Sequence, residues 1–205
     1  MTKVVDFHFD YSSPFAYLGS TQIEAAAARH GATVRYRPFL LGALFKAIGT
    51  PDVPLFAAPE PKRKLYGADL FRWADHYGVP LVFPSRFPMN TIKPLRMTLS
   101  LPEADRPRLI GPVYRAYWAE DRDISDDATL AEIATSAGLD GAALVASTRD
   151  ERIKAELKAA TEAAVQLGVC GAPTYTVGKL IFWGQDRLLF VEKALDGWIP
   201  KGEEG

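Results

Sequence analysis

Residues 4–16 read VVDFHFDYSSPFA, an apolar run that ends in a serine-proline pair. Residues 4–9 are rich in β-branched and aromatic side chains, which predicts a strand. Ser13 before Pro14 favours a helix start, because serine caps a helix and proline fits its first turn. The stretch therefore predicts a strand that runs directly into a helix, with Ser13 at the junction.

The residues that follow complete a strand–helix–strand unit. An alanine-rich segment predicts a helix over residues 14–30, and Gly31 is typical of its C-terminal end. Residues 33–37 alternate as a second strand would, and Pro38 closes them. A helix that joins two such strands indicates a βαβ unit.

The rest of the chain divides into a helical middle and a mixed end. Residues 41–167 carry helix patterns and loops, with few strand candidates. Residues 174–177 and 180–183 are typical of a hairpin, since a short turn sequence separates two apolar runs. A helix over residues 187–195 is predicted to follow.

The order of elements predicts an α/β fold with two domains. We expect one domain to be built from residues 1–40 and 168–205, and residues 41–167 to form an all-helical insertion. Within the insertion, residues 50–61 hold four prolines, which predicts an extended surface loop. This loop is either a plain connector or a lid over a site.

Composition and charge exclude several classes of partner and chemistry. The chain has 24 Lys and Arg against 25 Asp and Glu, a net charge of −1, so we expect neither a nucleic acid nor a membrane as partner. Cys170 is the single cysteine, which excludes an internal disulfide and two-cysteine redox chemistry. The N-terminal apolar stretch is too short for a signal peptide or membrane span, which predicts a cytoplasmic protein.

Two short segments are candidates for a functional site. Ser13 is either an ordinary helix cap or part of a site in which a helix start stabilises an anion. Pro173, in the stretch GVCGAPT, directly precedes a predicted strand. This is the place of the cis-proline in the thioredoxin fold, where the peptide group of the preceding residue, here Ala172, can pair with a peptide-like ligand.

Five separated motifs, in this order, together resemble the 2-hydroxychromene-2-carboxylate isomerase family over almost the whole chain. That family is a branch of the disulfide-oxidoreductase lineage and is similar to kappa-class glutathione transferases. The resemblance implies a thioredoxin-like βαβ–ββα core with a large all-helical insertion, and a homodimer. The motifs are Asp10-Tyr11-Ser12-Ser13-Pro14-Phe15-Ala16-Tyr17-Leu18, Arg72-Trp73-Ala74, Gly78-Val79-Pro80-Leu81-Val82-Phe83-Pro84, Gly171-Ala172-Pro173-Thr174 and Trp183-Gly184-Gln185-Asp186-Arg187-Leu188.

The resemblance also implies a role for Ser13. Disulfide oxidoreductases open the helix with Cys-Pro-x-Cys, whereas residues 13–16 read Ser-Pro-Phe-Ala, so thiol–disulfide exchange of that type is excluded. The implied cofactor is glutathione, which brings the sulfur. Ser13 would donate its O–H to the glutathione thiolate, and such a bond lowers the pKa of a thiol.

Further residues are assigned to glutathione by the resemblance. Ala172, before Pro173, would bond the cysteinyl part through its backbone N–H and C=O. Asp186 suits the α-amino group of the γ-glutamyl end, and a simple helix cap is the compatible alternative. Lys62 would hold a carboxylate of glutathione, unless it is only a solvated lysine. The other residues that the resemblance assigns to glutathione are Pro173, Trp183, Gly184 and Gln185.

The implied reaction interconverts 2-hydroxychromene-2-carboxylate and trans-o-hydroxybenzylidenepyruvate. Its substrate is a flat, anionic aromatic acid, which needs an apolar slot and a cation. Asn90 matches a family asparagine and would face the substrate, or would only cap its loop. The resemblance departs from the isomerases at Phe87-Pro88, where they carry adjacent arginines. Candidates for the slot are Phe15, Phe39 and Phe45, and candidates for the cation are Lys46, Arg86 and Lys93.

Other chemistry is not indicated by the sequence. His8, His30 and His76 are scattered without the spacing of metal ligands, so we expect no metal site. Cys170 has apolar neighbours and is predicted to be buried and inert. Two alternative functions stay open at this point: a kappa-like glutathione transferase or peroxidase, and a non-catalytic module that binds glutathione or a peptide.

Overall fold

A four-stranded mixed sheet forms the centre of the computed structural model, which describes residues 3–51 and 53–202. Residues 1, 2, 52 and 203–205, which belong to the predicted domains and loop, lie outside the described residues. The strands are β1 (Lys3–Phe9), β2 (Ala32–Pro38), β3 (Thr174–Val177) and β4 (Leu180–Trp183), in the order β2-β1-β3-β4. β1 is parallel to β2 and antiparallel to β3, and β3 and β4 form the predicted hairpin.

Helices surround this sheet and fill the middle of the chain. The thioredoxin-like α/β fold and the helical insertion predicted from the sequence are confirmed. Among the described residues, no helix is both long and apolar enough to cross a membrane. The helices are α1 (Pro14–Ser20), α2 (Ile23–Arg29), α3 (Leu41–Ile48), α4 (Pro54–Ala57), α5 (Glu60–Tyr77), α6 (Ile92–Ser100), α7 (Arg106–Trp118), α8 (Asp127–Ser136), α9 (Gly141–Ser147), α10 (Glu151–Leu167) and α11 (Leu188–Leu195), with 3-10 turns at Glu103–Asp105 and Gln185–Arg187.

One cluster of buried side chains joins the sheet to the helices of the insertion. Phe7 and Phe9 of β1 belong to it, as do Trp118 of α7 and Leu130 of α8. The Trp118 indole N–H donates to the carbonyl of Tyr11 at 2.8 Å, which satisfies both groups inside the core. The burial of these apolar side chains is the main force that holds the insertion against the sheet. The division of the chain into two domains stays a prediction.

The helix predicted over residues 14–30 is interrupted. The structure has α1 and α2 instead, separated at Thr21 and Gln22. The hydroxyls of Ser20 and Thr21 donate to the carbonyls of Tyr17 and Leu18, each at 2.7 Å. Such side-chain bonds compete with the backbone ladder, so the helix ends there.

The segment over residues 50–61 is less extended than predicted. It contains α4, and α5 begins within it, at Glu60. Pro54 and Pro61 lie in the first turns of these helices, where the missing N–H of proline has no intrahelical partner to lose.

Buried Asp10 fixes the elements around the end of β1. Its carboxylate accepts hydrogen bonds from the N–H of Ser12 at 2.9 Å, the N–H of Leu41 at 2.7 Å and the hydroxyl of Thr91 at 2.7 Å. Burial raises the pKa of Asp10 despite these bonds. The start of α3 and the residue before α6 are thus attached to the residue that follows β1.

Candidate functional site

A cavity of about 450 Å³ lies beside the start of α1. Its walls come from α1, α3, α4, α5, the loop before α6 and the loop before β3. The lining is predominantly apolar, and a volume of this size is within the range of small-molecule sites. The described lining residues are Ser12, Ser13, Pro14, Phe15, Leu41, Phe45, Ile48, Thr50, Val53, Pro54, Leu55, Ala58, Lys62, Tyr66, Gly67, Leu70, Phe83, Phe87, Pro88, Cys170, Gly171, Ala172 and Trp183.

Ser13 is the N-cap of α1 and lines this cavity. Its Oγ accepts a hydrogen bond from the N–H of Ala16 at 3.1 Å and donates one to the carbonyl of Ala172 at 2.7 Å. The helix-cap interpretation of Ser13 is confirmed, and its role in binding an anion stays a prediction. The hydroxyl caps the helix, and it stands at a cavity wall beside the loop before β3.

The peptide bond between Ala172 and Pro173 is cis, as the resemblance implies. The carbonyl of Pro173 accepts a hydrogen bond from the N–H of Gly184 at 2.9 Å, which joins this loop to the end of β4. Among the described residues, no acceptor pairs with the N–H of Ala172. The Ala172 N–H is therefore available to a ligand, while its carbonyl already holds Ser13.

Trp183 closes one side of the cavity. Its indole ring lies so close to Gly171 that a Cβ at position 171 would be 2.6 Å from the indole Nε1. Only glycine allows the ring this approach. The residue is 58% exposed, so one face of the indole is open to a ligand or to solvent.

Four other residues assigned to glutathione lie outside the cavity lining: Pro173, Gly184, Gln185 and Asp186. Gln185 is buried, and Gly184 has a φ of 113°, a conformation that favours glycine. The Asp186 carboxylate lies close to Gly184: a Cβ added to Gly184 would be 2.5 Å from the Asp186 Oδ1. It forms an ion pair with Arg187. The structure thus brings Asp186 next to the bond between Gly184 and Pro173, at the edge of the site.

Lys62 is the one charged residue among the described residues that line the cavity. It lies on α5, and its Nζ is 5.6 Å from the centre of the Tyr66 ring. Its side chain is exposed. A single cation in an apolar cavity can neutralise one carboxylate. Among the described lining residues, Lys62 is the group that can do so.

The predicted substrate residues are only partly brought together. Phe15 and Phe45 line the cavity, whereas Phe39 is buried in a neighbouring core cluster. Lys46 is exposed on α3 and does not line the cavity. Asn90 does not line it either, and its Oδ1 accepts from the N–H of Ile92 at 3.0 Å, as the loop-capping alternative requires.

The other two candidate cations are engaged elsewhere. Arg86 forms an ion pair with Asp123 at 3.9 Å. Lys93 forms one with Asp127 at 2.7 Å and donates to the carbonyl of Ser125. Neither lines the cavity.

An aromatic wall was not recognised from the sequence. Phe83 and Phe87 line the cavity with their rings 5.1 Å apart, and Phe56 lies 5.9 Å from Phe87. At Phe87-Pro88, where the isomerases carry adjacent arginines, this chain therefore has apolar groups and no cation. The proline-rich segment also contributes wall residues, including Leu55, which agrees with its lid alternative. Chain spacing gave no signal that these segments converge.

The prediction that Cys170 is buried is wrong. The residue is exposed and lines the cavity, because the loop before β3 turns its side chain to the opening. Partial desolvation raises the pKa of its thiol. Across the described chain, no group of three or more His, Cys, Asp or Glu side chains has the arrangement of a metal site.

Comparison with known proteins places this geometry in a family. The model of the DSBA-like thioredoxin domain matches residues 4–196. A 2-hydroxychromene-2-carboxylate isomerase of Sphingobium xenophagum is 35% identical over 195 residues, which is 95% of this chain and 99% of that protein.

Two further comparisons agree with this assignment. A solved structure of a 2-hydroxychromene-2-carboxylate isomerase superposes with a TM-score of 0.82 at 30% identity and covers 95% of both chains. Glutathione S-transferase kappa 1 of Caenorhabditis elegans is 28% identical and covers 93% of this chain and 90% of its own. The chain belongs to the DSBA-like thioredoxin-domain family and, within it, to the 2-hydroxychromene-2-carboxylate isomerases.

Proposed function

We propose that this protein is a glutathione-dependent isomerase that interconverts 2-hydroxychromene-2-carboxylate and trans-o-hydroxybenzylidenepyruvate. The observation that carries the proposal is the position of the Ser13 hydroxyl, at the cavity wall and 2.7 Å from the carbonyl of Ala172. No cysteine occupies residues 13–16, so the sulfur of the proposed reaction is that of a bound thiol.

The donor set of the cavity fits glutathione. The backbone N–H of Ala172 suits the peptide part of the tripeptide, since it can pair as an added strand would. Lys62 suits one carboxylate, and the exposed face of Trp183 covers the ligand from the side. Asp186, at the edge of the site, suits the amino group of the γ-glutamyl end.

Ser13 would hold the sulfur anion by donating its hydroxyl proton. Hydrogen bonds to a charged acceptor are about twice as strong as neutral ones, so this donation favours thiolate over thiol. Bound glutathione supplies a thiolate that adds reversibly to a conjugated carbon of the substrate, which makes a fixed double bond rotatable until the thiolate leaves. Cys170 is less suited to this role, because desolvation raises the pKa of its thiol and so disfavours the thiolate.

The apolar walls would orient the aromatic substrate. Phe15 and Phe45 face the cavity from α1 and α3, and Phe83 and Phe87 face it from the loop before α6. Flat rings pack well between such side chains and exclude water from the reacting carbon. Restricting the substrate in this way favours one rotation about the freed bond.

The names of the relatives support both halves of the proposal. The isomerase of Sphingobium xenophagum is named for the chromene substrate, and the Caenorhabditis elegans relative is named for glutathione. The proposal includes a cytoplasmic location, where glutathione is abundant, and a homodimer, which the family resemblance implies.

The proposal is tested with glutathione and with ophthalmate, in which a methyl group replaces the thiol. Both should quench the fluorescence of Trp183 and raise the melting temperature, and Trp183→Phe should lose the quenching. Only glutathione should support the change in absorbance as the chromene opens. Isomerisation at the same rate without glutathione would contradict the cofactor assignment.

The kappa-like relative makes a transferase the second candidate. A chlorinated aromatic acceptor separates the two reactions, because a transferase consumes glutathione while an isomerase returns it. Stoichiometric loss of glutathione, without isomerisation of the chromene, would favour the transferase. Binding of glutathione without either activity would indicate a non-catalytic module.

A further inference from the structure

A second cavity, of about 340 Å³, lies on the opposite side of α3. α3 separates the two cavities: Leu41, Phe45 and Ile48 line the first, and Ala43 and Ala47 line the second. The two alanines leave the space that larger side chains would fill. The complete lining is Leu40, Ala43, Ala47, Ile92, Arg96, Lys154, Leu157, Lys158, Thr161, Glu162 and Val165.

The inner wall of this cavity, at Leu40, Leu157 and Thr161, is apolar, and its hydroxyl group is already hydrogen-bonded. Leu157 is almost fully buried. The Thr161 hydroxyl donates to the carbonyl of Leu157 at 2.8 Å and accepts from the N–H of Leu40 at 3.0 Å. A ligand body that lies against this wall therefore needs to be apolar, because nothing there offers it a hydrogen bond.

Arg96 provides an uncompensated positive charge at the same cavity. One of its terminal nitrogens donates to the carbonyl of Thr148 at 3.1 Å. Among the described residues, its guanidinium has no ion pair with a carboxylate, and the contact that holds it is this hydrogen bond. An arginine whose charge no carboxylate neutralises favours an anion that its terminal nitrogens can reach.

The neighbouring charges add to the positive potential. Lys154 and Lys158 also line the cavity, and Glu162 is the only acidic residue among the described lining residues. Lys158 pairs with Glu162 at 3.7 Å, whereas Lys154 pairs with Glu151, which is outside the lining. Three cations against the two carboxylates that pair with the lysines leave a net positive charge, which favours an anionic ligand.

We propose that this second cavity binds a flat aromatic monocarboxylate, with its ring against Ala43, Ala47 and Leu157 and its carboxylate at Arg96. The volume is near the lower end of small-molecule sites, which suits one or two fused rings. The site is separate from the Ser13 cavity and does not depend on glutathione.

The probe for this site is 2-naphthoate, with uncharged 2-naphthylmethanol as the matched ligand. Equilibrium dialysis of the full chain counts bound naphthoate, and amide chemical-shift mapping locates it. We expect shifts at Ala43, Ala47 and Lys158. Arg96→Gln should weaken this binding about tenfold or more, because charge-assisted hydrogen bonds are lost. Arg152→Gln, an exposed arginine of α10 outside the lining, should leave it unchanged.

Filling the cavity gives an independent test. Ala47→Trp should remove one equivalent of bound naphthoate, and Ala43→Leu serves the same purpose if the tryptophan variant does not fold. Equal stoichiometry in a folded filled variant would overturn the proposal, as would naphthylmethanol binding as tightly as naphthoate. Sedimentation showing that a filled variant loses self-association, with naphthoate binding intact, would assign this face to a second copy of the chain and also overturn it.

Discussion

The Ser13 hydroxyl donates to the carbonyl of Ala172 at 2.7 Å and accepts from the N–H of Ala16 at 3.1 Å. One oxygen is thus held by two segments that are far apart in the sequence, the start of α1 and the loop before β3. A serine hydroxyl has one proton, so donation to a bound thiolate requires that proton to turn away from Ala172. The bond from Ala16 can persist through this change and keep the oxygen in place.

Replacing Ser13 with alanine tests this arrangement. In Ser13→Ala the thiolate of bound glutathione loses its hydroxyl donor, and kcat/KM for isomerisation should fall about 100-fold, as when one such donor is removed from an active site. The pKa of the bound thiol should rise, which is measurable from the thiolate absorbance. Loss of the helix cap should also lower the free energy of unfolding by about 1 kcal/mol.

Ser20→Ala is the matched control for this substitution. Ser20 lies at the other end of α1, and its hydroxyl donates to the carbonyl of Tyr17 at 2.7 Å, outside the cavity. This variant should keep the activity and the thiol pKa. Unchanged turnover in Ser13→Ala would remove Ser13 from the mechanism.

Lys62→Met tests the single cation of the described cavity lining. The variant should raise the KM for glutathione about fivefold and leave kcat nearly unchanged, since an exposed ion pair contributes about 1 kcal/mol. Lys64→Met is the control, because Lys64 pairs with Glu60 on the exposed surface of α5. If only the KM for the aromatic acid rises, Lys62 holds the substrate's carboxylate instead.

The backbone of the fold was predictable because its signals are local. Alternating apolar residues and the Ser13-Pro14 pair predict β1 and the start of α1, and the hairpin of residues 174–183 follows from its turn. The break at Thr21 was missed, because a hydroxyl that bonds a carbonyl of its own helix gives the same sequence pattern as one that faces solvent.

The candidate site was predictable only at the residues of the two motifs that lie at the ends of core elements. Ser13 and Ala172 meet at the cavity because both lie at element boundaries of the core. Phe39 and Cys170 were misjudged, since the exposure of a loop residue depends on how distant segments pack around it. The wall formed by Phe83 likewise depends on tertiary packing.

His8 should make the protein less stable in acid. Burial lowers the pKa of His8 to about 4, from about 6.5 in an unfolded chain. Between these pH values the unfolded state binds the proton more tightly than the folded state does. The contribution of His8 to the free energy of unfolding is therefore fully present above about pH 6.5 and is lost as the pH falls towards 4. The upper limit of this loss is about 3 kcal/mol. Urea unfolding at several pH values measures it.

His8→Gln should flatten this part of the pH profile, because glutamine does not titrate and can still reach the Thr176 hydroxyl that lies 3.4 Å from the His8 ring. If the wild type and His8→Gln lose stability in parallel from pH 6.5 to 4, the acid sensitivity comes from other groups.

Gly19 and Tyr175 provide a test of how closely α1 packs on β3. A Cβ at position 19 would be 2.3 Å from the Tyr175 hydroxyl oxygen, so Gly19→Ala should destabilise the fold by about 1–3 kcal/mol. Gly67→Ala is the control, because it lies in the interior of α5 with no proline beside it and nothing lies within 4 Å of its added Cβ. That variant should be more stable by about 0.5–1 kcal/mol, since alanine favours a helix interior.

Removing the Tyr175 hydroxyl should rescue Gly19→Ala. This hydroxyl is buried and has no hydrogen-bond partner, so Tyr175→Phe alone should be neutral or slightly stabilising. In the double variant the added methyl group occupies the space that the hydroxyl leaves. The change in the free energy of unfolding should therefore differ from the sum of the two single changes by more than about 0.5 kcal/mol. Purely additive free energies of unfolding, from urea titrations of all four proteins, would show that the two groups do not meet.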